Sequence, residues 1–174
     1  MTVADRRSPE PGSLVIERVD YGHPDAMRLI DEVQQEYVTR YGGPDESPID
    51  PLMFAPPEGS FFVGYLPLAD GGRDAVATGA WRRSGVEACG TTATAEIKRM
   101  YVAPRAQRSG HARRMLAHLE ATAREAGFEA LVLETGERQP EAIALYLSCG
   151  YELIEPFGYY RDSPVCRCFA RSLG

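Results

Sequence analysis

The sequence predicts an α+β fold in which a mixed β-sheet is flanked by helices. Three features of the chain support this prediction. A strand and a helix come first, three strand-like segments then follow one another, and a strand–helix–strand–helix run precedes a strand-like tail. Because a strand–helix–strand unit usually joins parallel neighbours in one sheet, we expect parallel and antiparallel pairs together.

The composition is that of one globular domain, with 174 residues of which 44% are hydrophobic and 25% charged. Lys and Arg number 19 against 25 Asp and Glu, so the net charge is -6 and a nucleic-acid partner is disfavoured. No apolar run reaches the roughly 20 residues of a membrane span, and no signal-peptide core follows the start. We expect a cytoplasmic protein, without membrane attachment, that has a flexible leader at residues 1–13 and a single domain at residues 14–174.

The predicted strands are short apolar and β-branched runs bounded by turn-forming residues. They are residues 14–19, 60–66, 75–82, 93–102 and 130–135, and the tail at 151–173 adds one or two more. The Gly and Asp content of residues 69–74 predicts a hairpin connection, so the second and third strands should pair antiparallel.

Helices are predicted where apolar residues recur every three to four positions. The segments are residues 24–41, 110–126 and 140–149. Ser109 is expected to cap the start of the second helix and Gly127 to end it. Residues 45–58 hold four prolines and four acidic residues, which predicts a loop or a short broken helix.

The four cysteines are too few and too irregularly spaced for a disulfide framework or a two-pair zinc site. They are Cys89, Cys149, Cys166 and Cys168. Alternate residues on a strand point the same way, so Cys166 and Cys168 could together reach a metal. His is scarce, however, and we predict that the pair is structural and that no metal is bound.

Residues 101–112 carry the clearest chemical signal, because a basic loop of small residues connects a strand to the strongest predicted helix. The first amides of a helix lack intrahelical acceptors and the helix dipole favours an anion there. This arrangement predicts a pyrophosphate site, and the alternative is a tight turn with a solvated basic face. The phosphate-binding patterns G-x-x-x-x-G-K-[ST] and G-x-G-x-x-G are both absent from this turn.

The hexapeptide at residues 107–112, Gln-Arg-Ser-Gly-His-Ala, resembles the pyrophosphate signature of the GCN5-related N-acetyltransferase (GNAT) family. Residues 96–104 resemble the strand that enters this signature, and residues 139–151 resemble the Ala-x-x-Leu-Tyr-x-x-x-Gly-Phe helix of the family, with Tyr151 in place of Phe. The resemblance implies a GNAT fold, that is, a mostly antiparallel twisted sheet of six or seven strands with about four helices. It also implies a parallel pair, the fourth and fifth strands, that splays apart.

The same resemblance implies that acetyl-CoA is the co-substrate and that its acetyl group passes to a primary amine by direct attack in a ternary complex. The residues implied in acetyl-CoA binding are Met100, Tyr101, Val102, Gln107, Arg108, Ser109, Gly110, His111, Ala112, Thr135 and Tyr146. A homodimer is an assembly that the family commonly forms.

Two residues are candidates for proton transfer, since an attacking amine loses a proton and a departing thiolate gains one. Tyr146 matches the tyrosine that many GNAT enzymes direct at the CoA sulfur, and its alternative is core packing. Glu96 lies eleven residues before Gln107, as the general base does in the histone-acetylating branch. The alternative for Glu96 is an ion pair with Lys98 or Arg99 on an exposed face, and His111 is a weaker candidate base.

The acceptor site is expected among aromatic and acidic residues outside these motifs, which suit a cationic or aromatic amine. They are Tyr37, Tyr41, the loop at residues 45–50, Trp81, Tyr159 and Tyr160. A covering loop favours a small-molecule amine. The alternatives are a protein acetyltransferase acting on lysines or N-termini, an acyl-CoA-binding module with little turnover, and an interaction domain that reuses the fold.

Overall fold

We describe residues 12–174 from a computed structural model of the chain. Most of the predicted leader, residues 1–11, lies outside the described residues. The described part contains seven strands and three α-helices, and the predicted α+β class is confirmed. The strands are β1 (Val15–Val19), β2 (Gly59–Pro67), β3 (Arg73–Arg83), β4 (Thr94–Val102), β5 (Ala130–Gly136), β6 (Glu152–Ile154) and β7 (Cys166–Ser172). The helices are α1 (Pro24–Tyr41), α2 (His111–Glu125) and α3 (Pro140–Ser148).

Two short 3-10 helices complete the described elements, at Pro51–Phe54 and Pro104–Ala106. The first lies in the segment predicted to be a loop or broken helix, where Asp50 caps it by accepting a hydrogen bond from the Leu52 amide. None of the described helices is both long enough and apolar enough to cross a lipid bilayer.

The strands form one sheet in the order β1-β2-β3-β4-β5-β7-β6. Every neighbouring pair is antiparallel except β4 and β5, which are parallel and are joined through α2. Helix α1 packs on one face of this sheet, whereas α2 and α3 pack on the other, since their buried side chains belong to two separate core clusters. The apolar stripe of α2 meets the sheet through Met115, Leu116 and Leu119, which are almost completely buried.

The parallel pairing of β4 with β5 stops half-way along both strands. Its last paired residues are Ile97 and Leu133, so the remaining residues of β4 and β5 have no partner in each other. The two strands therefore diverge toward their carboxyl ends, and the splayed pair expected from the resemblance is confirmed.

A β-bulge lies in β4 just beyond this point. The β3–β4 register shifts between Thr78 and Ala80, and Arg99 has a φ of 54°. Ile97 and Met100 consequently both pack against the same cluster of apolar side chains, although they are three residues apart. The bulge therefore changes which β4 side chains face the cleft between the strands.

Candidate functional site

A cleft of about 540 Å³ opens where β4 and β5 separate. Its floor is formed by β4 and β5, including Lys98, Arg99 and Glu134, and one wall is formed by Tyr146 of α3. The end of α1 and the loops near Asp45 and Tyr160 form the opposite wall. These elements bring basic, acidic and phenolic groups together in one concave site.

Tyr146 combines a buried ring with an accessible hydroxyl. The ring packs edge-on against Tyr151, with centroids 5.6 Å apart, and the residue is only 5% exposed. Its hydroxyl lines the cleft and makes no hydrogen bond within residues 12–174. Burial raises the pKa of Tyr146 well above its ordinary value, so the hydroxyl is protonated at neutral pH.

Glu134 of β5 is a titratable group of the cleft that the sequence analysis did not identify. Burial raises its pKa from an ordinary 4.5 to about 7. Lys98 and the backbone amide of Tyr160 favour the charged form, whereas the charges of Glu96 and Asp45 oppose it. A carboxyl group with a pKa near neutrality is suited to accept a proton from an ammonium group.

Two thiols border Glu134. The carboxylate of Glu134 and the sulfur atoms of Cys166 and Cys168 lie within 4.8 Å of one another. Burial raises the pKa of both thiols, and that of Cys166 to about 12. Protonated thiols are weakly polar neighbours, so they contribute to the poor solvation of the Glu134 carboxylate. Gly158 closes the same corner, since a Cβ added there would lie 3.0 Å from Glu134 Oε2.

An ion pair between β4 and the loop after α1 borders the same cleft. Arg99 Nη1 donates to Asp45 Oδ2 over 2.7 Å. Asp45 Oδ1 accepts from the Ser47 amide at 2.9 Å and from the Tyr160 hydroxyl at 3.0 Å. Both carboxylate oxygens therefore have donors, and these bonds connect two loops across the cleft. Burial alone would raise the pKa of Asp45, but the bonds from Ser47 and Arg99 outweigh it and hold the pKa below its usual range.

The loop between β4 and α2 leaves several backbone donors free. Gly110 begins α2 with a φ of 78° and provides no side-chain cap. The amides of residues 108–112 make no hydrogen bond within residues 12–174. A Cβ added at Gly110 would meet no atom within 4 Å, so the space outside the loop is open. Free amides at a helix start fit the phosphates of a nucleotide-like group.

Comparison with protein families settles the relationship. Residues 28–151 match the acetyltransferase (GNAT) family. The chain belongs to the GNAT family. The resemblance found in the sequence is confirmed, and its GNAT homologues indicate an acyltransferase. GNAT enzymes use acetyl-CoA as co-substrate.

Individual GNAT relatives support this assignment. An "IAA acetyltransferase" of Azospirillum brasilense is 44% identical over 91 residues, which are 48% of this chain and 60% of that protein. The chain thus matches less than two thirds of that relative. YsnE of Bacillus subtilis, called an uncharacterized N-acetyltransferase, is 32% identical over 119 residues, covering 64% of this chain and 78% of YsnE.

A GNAT-like architecture is also found among solved structures. A crystal structure from Klebsiella pneumoniae, provisionally assigned as an acyl-CoA N-acyltransferase, has a TM-score of 0.70 and 26% identity. The match covers 94% of this chain and 99% of that one. Nearly the whole chain therefore has a structural counterpart of known structure.

The GNAT cleft brings together only part of the predicted site. Met100, Thr135 and Tyr146 line the cavity, as do Tyr37, Tyr41, Asp45 and Tyr160 from the predicted acceptor set. Tyr101, Val102 and residues 107–112 lie outside this cavity, at the carboxyl end of β4 and the start of α2. Their contacts with acetyl-CoA, through the β4 backbone and the amides at the start of α2, stay predictions.

Glu96 lies outside the cavity and is surrounded by cations. It is 6% exposed, and its carboxylate pairs with Arg82 at 3.0 Å and with Lys98 at 2.9 Å. The alternative expectation of an ion pair was correct for Lys98, but the pair is buried. Both oxygens of Glu96 are engaged, whereas Glu134 has no ion pair within residues 12–174. Of the two glutamates, Glu134 is therefore the one that lines the cleft without an ion pair among the described residues.

Three further expectations need correction. Trp81 is not at the acceptor site, because it is 2% exposed and its Nε1 donates to Thr122 of α2. Ser109 does not cap α2, since its hydroxyl lies 3.5 Å from the Gln107 carbonyl. His111 is disfavoured as a base, because it is buried outside the cavity, where burial and Arg114 lower the pKa of its imidazole, but its predicted contact with acetyl-CoA stays a prediction.

Proposed function

We propose that the protein transfers the acetyl group of acetyl-CoA to a primary amine of a small molecule, by direct attack within a ternary complex. One observation carries this proposal. The cleft between β4 and β5 presents a carboxyl group with a pKa of about 7, on Glu134, and a protonated hydroxyl, on Tyr146. One group can accept a proton from the amine and the other can donate a proton to the departing thiolate, as acid–base catalysis of thioester aminolysis would use them.

Glu134 and Tyr146 each have one role in the proton transfers of this reaction. The ionised carboxylate of Glu134 accepts a proton from the acceptor ammonium, which leaves the nitrogen lone pair free to attack. The C–N bond then forms and the C–S bond of the thioester breaks. The hydroxyl of Tyr146 supplies a proton to the departing sulfur and recovers the second proton that the attacking nitrogen loses, while Glu134 passes the first proton to solvent. Positioning both reactants in one cleft can contribute several kcal/mol of catalysis.

The free backbone amides of residues 108–112 support phosphate binding beyond the cleft. The carboxyl-terminal half of β4, which β5 does not pair, is open to hydrogen bonding by the amide-containing arm of acetyl-CoA. Val102 already accepts a hydrogen bond from Gln107 Nε2 at 2.9 Å. This contact orients the loop against the strand before any ligand binds.

A small acceptor is favoured over a protein chain because two loops meet across the cleft. Asp45 and Tyr160 form their connection, through the 3.0 Å hydrogen bond from the Tyr160 hydroxyl. An extended peptide would need an open groove at this position. The cytoplasmic location and the homodimer remain predictions from the sequence and from the resemblance.

The proposal is tested by following CoA thiol release with acetyl-CoA and a panel of small amines, amino acids and peptides. We expect turnover with some small amines and none with peptides. Tyr146→Phe should lower kcat about 100-fold, since general acid catalysis contributes on that scale. Acetyl-CoA affinity should stay within two-fold, as measured by calorimetry.

Tyr159→Phe is the matched control, because Tyr159 is 58% exposed and is not among the residues that line the cleft. It should retain the rate of the original protein. Tight acetyl-CoA binding without transfer to any amine would instead indicate an acyl-CoA-binding module and would contradict the proposed reaction. Preferential transfer to peptides would indicate a protein acetyltransferase.

A further inference from the structure

Arg99 carries a buried guanidinium group whose hydrogen-bonding capacity is mostly unused. Its side chain is 4% exposed and lines the cleft. A guanidinium has five N–H donors. Within residues 12–174, the single hydrogen bond from this guanidinium is that from Nη1 to Asp45. The Nε atom is buried and has no partner there.

An incompletely paired buried cation calls for a physical explanation, because desolvating N–H donors without acceptors is unfavourable. Asp45 cannot satisfy the remaining donors, since its Oδ1 already accepts from Ser47 and Tyr160. The backbone of Arg99 is also unusual, with a φ of 54° that a non-glycine residue rarely adopts. A buried, incompletely paired side chain on a strained backbone is typical of a ligand-binding position.

Neighbouring cations of the cleft do not share this property. Lys98 is paired with Glu96 at 2.9 Å. The Arg138 guanidinium donates to the Arg40 carbonyl at 3.0 Å and is exposed at the rim. Arg99 is therefore the cation of the described cleft that combines burial with open donors, and its planar fork matches a carboxylate.

We propose that Arg99 binds a carboxylate of the acceptor, so that the preferred acceptors are amino acids or other amines that carry a carboxylate. This inference rests on the proposed function, because it names the substrate class of the same cleft. Glu134 faces the ammonium end of such an acceptor and Arg99 faces its carboxylate end. Asp45 accepts from Nη1 alone and leaves other N–H groups of Arg99 for the ligand.

The test compares acceptors that differ only in the carboxylate, namely phenylalanine with phenethylamine and tryptophan with tryptamine. We expect kcat/KM to be at least 10-fold higher for the amino acid in each pair. Arg99→Met should raise KM for the amino acids roughly 10- to 100-fold, the scale of a lost charged hydrogen bond. KM for the decarboxylated amines should change less than two-fold.

Arg83→Met is the matched control, because Arg83 is exposed and pairs with Glu58 on the surface. It should leave both KM values unchanged. Arg99→Met also leaves Asp45 without its cation, so the double variant Arg99→Met/Asp45→Asn is measured beside it. A retained melting transition in either variant shows that a loss of selectivity is not a loss of folding.

A binding measurement separates this inference from the proposed reaction. Calorimetry with N-acetylphenylalanine and N-acetylphenethylamine needs no turnover, and we expect the carboxylate-bearing compound alone to bind measurably. If neither binds, if both bind equally, or if the amines are acetylated as efficiently as the amino acids, the carboxylate role of Arg99 is wrong. A failure of all transfer, with selective binding retained, would overturn the proposed reaction and leave this inference standing.

Discussion

Glu134 acquires its chemical character from groups that are distant in the sequence. A glutamate in a strand would ordinarily be ionised at neutral pH. Here β5 enters a corner that is closed by the loop carrying Gly158 and Tyr160 and by the thiols of β7. The sequence could not reveal this residue, because each of these neighbours is brought to it by the folding of the tail.

The activity should depend on the ionisation of Glu134. Because burial raises its pKa to about 7, the carboxylate form increases as the pH rises from about 6 to 8. We expect kcat/KM to rise through this range and then level off. Glu134→Gln should lower kcat at least about 100-fold and remove this pH dependence. The charged and titratable groups that face Glu134 are Lys98, Glu96, Asp45, Cys166 and Cys168.

Glu137→Gln is the control for this pH profile, because Glu137 follows β5 but is exposed and pairs with Arg167. Its profile should match that of the original protein. An unchanged profile in Glu134→Gln would show that another group accepts the proton, and Glu96→Gln would then be the next variant to measure.

The local sequence predicted some residues of the site. It missed or misplaced others whose role depends on strand orientation or on a bulge. Tyr146 was identified because it belongs to a motif, and the structure adds that its ring is a core residue while its hydroxyl is accessible. Trp81 was misplaced because an aromatic residue on a strand can face either side of a sheet. Arg99 was not identified as a binding residue because nothing in its local sequence indicates a bulge.

At the scale of elements, α2 begins in a way that leaves its first amides unsatisfied. Ser109 was expected to cap this helix, but the chain passes through Gly110 with a φ of 78° instead. A side-chain cap would have occupied a donor that a phosphate could use. The missing cap therefore supports the predicted anion site more directly than the basic residues around it do.

Gly110→Ala should weaken acetyl-CoA binding at least about 10-fold, because the added methyl group enters the open space outside the loop. The left-handed conformation also costs the folded state about 1 kcal/mol with alanine. Calorimetry measures the first effect and thermal unfolding measures the second.

Gly127→Ala is a closely matched control for this variant. Gly127 follows the other end of α2, has a φ of 94° and likewise has no atom within 4 Å of an added Cβ. Its folding cost should be similar, whereas its acetyl-CoA affinity should not change. Equal losses of affinity in both variants would mean that the loop at Gly110 does not bind the cofactor.

Across the whole molecule, local patterns predicted the elements and their class well. The helices α1 and α2 and the strands β2 to β5 lie within a few residues of the predicted segments, since their apolar periodicity reflects the face that each buries. The order of β7 and β6 in the sheet was not predicted. That order depends on which strand edge the tail reaches, and no local pattern encodes it.

The free energy of unfolding should fall as the pH rises, because the Glu134 carboxyl is buried. Its pKa in the folded protein, about 7, lies above the ordinary 4.5. As the pH rises from about 4.5 to 7, the unfolded chain releases this proton before the folded protein does. The folded state is therefore favoured less at higher pH, and this loss is complete above pH 7.

Glu134→Gln should consequently raise the melting temperature at pH 8 by about 2–4 °C, the shift that roughly 1 kcal/mol produces in a domain of this size. At pH 5 the gain should be much smaller, because the original carboxyl is then protonated in the folded protein. Thermal unfolding of both proteins at several pH values measures this difference. A gain that does not depend on pH would mean that Glu134 ionises normally, and the activity would then lose its candidate base.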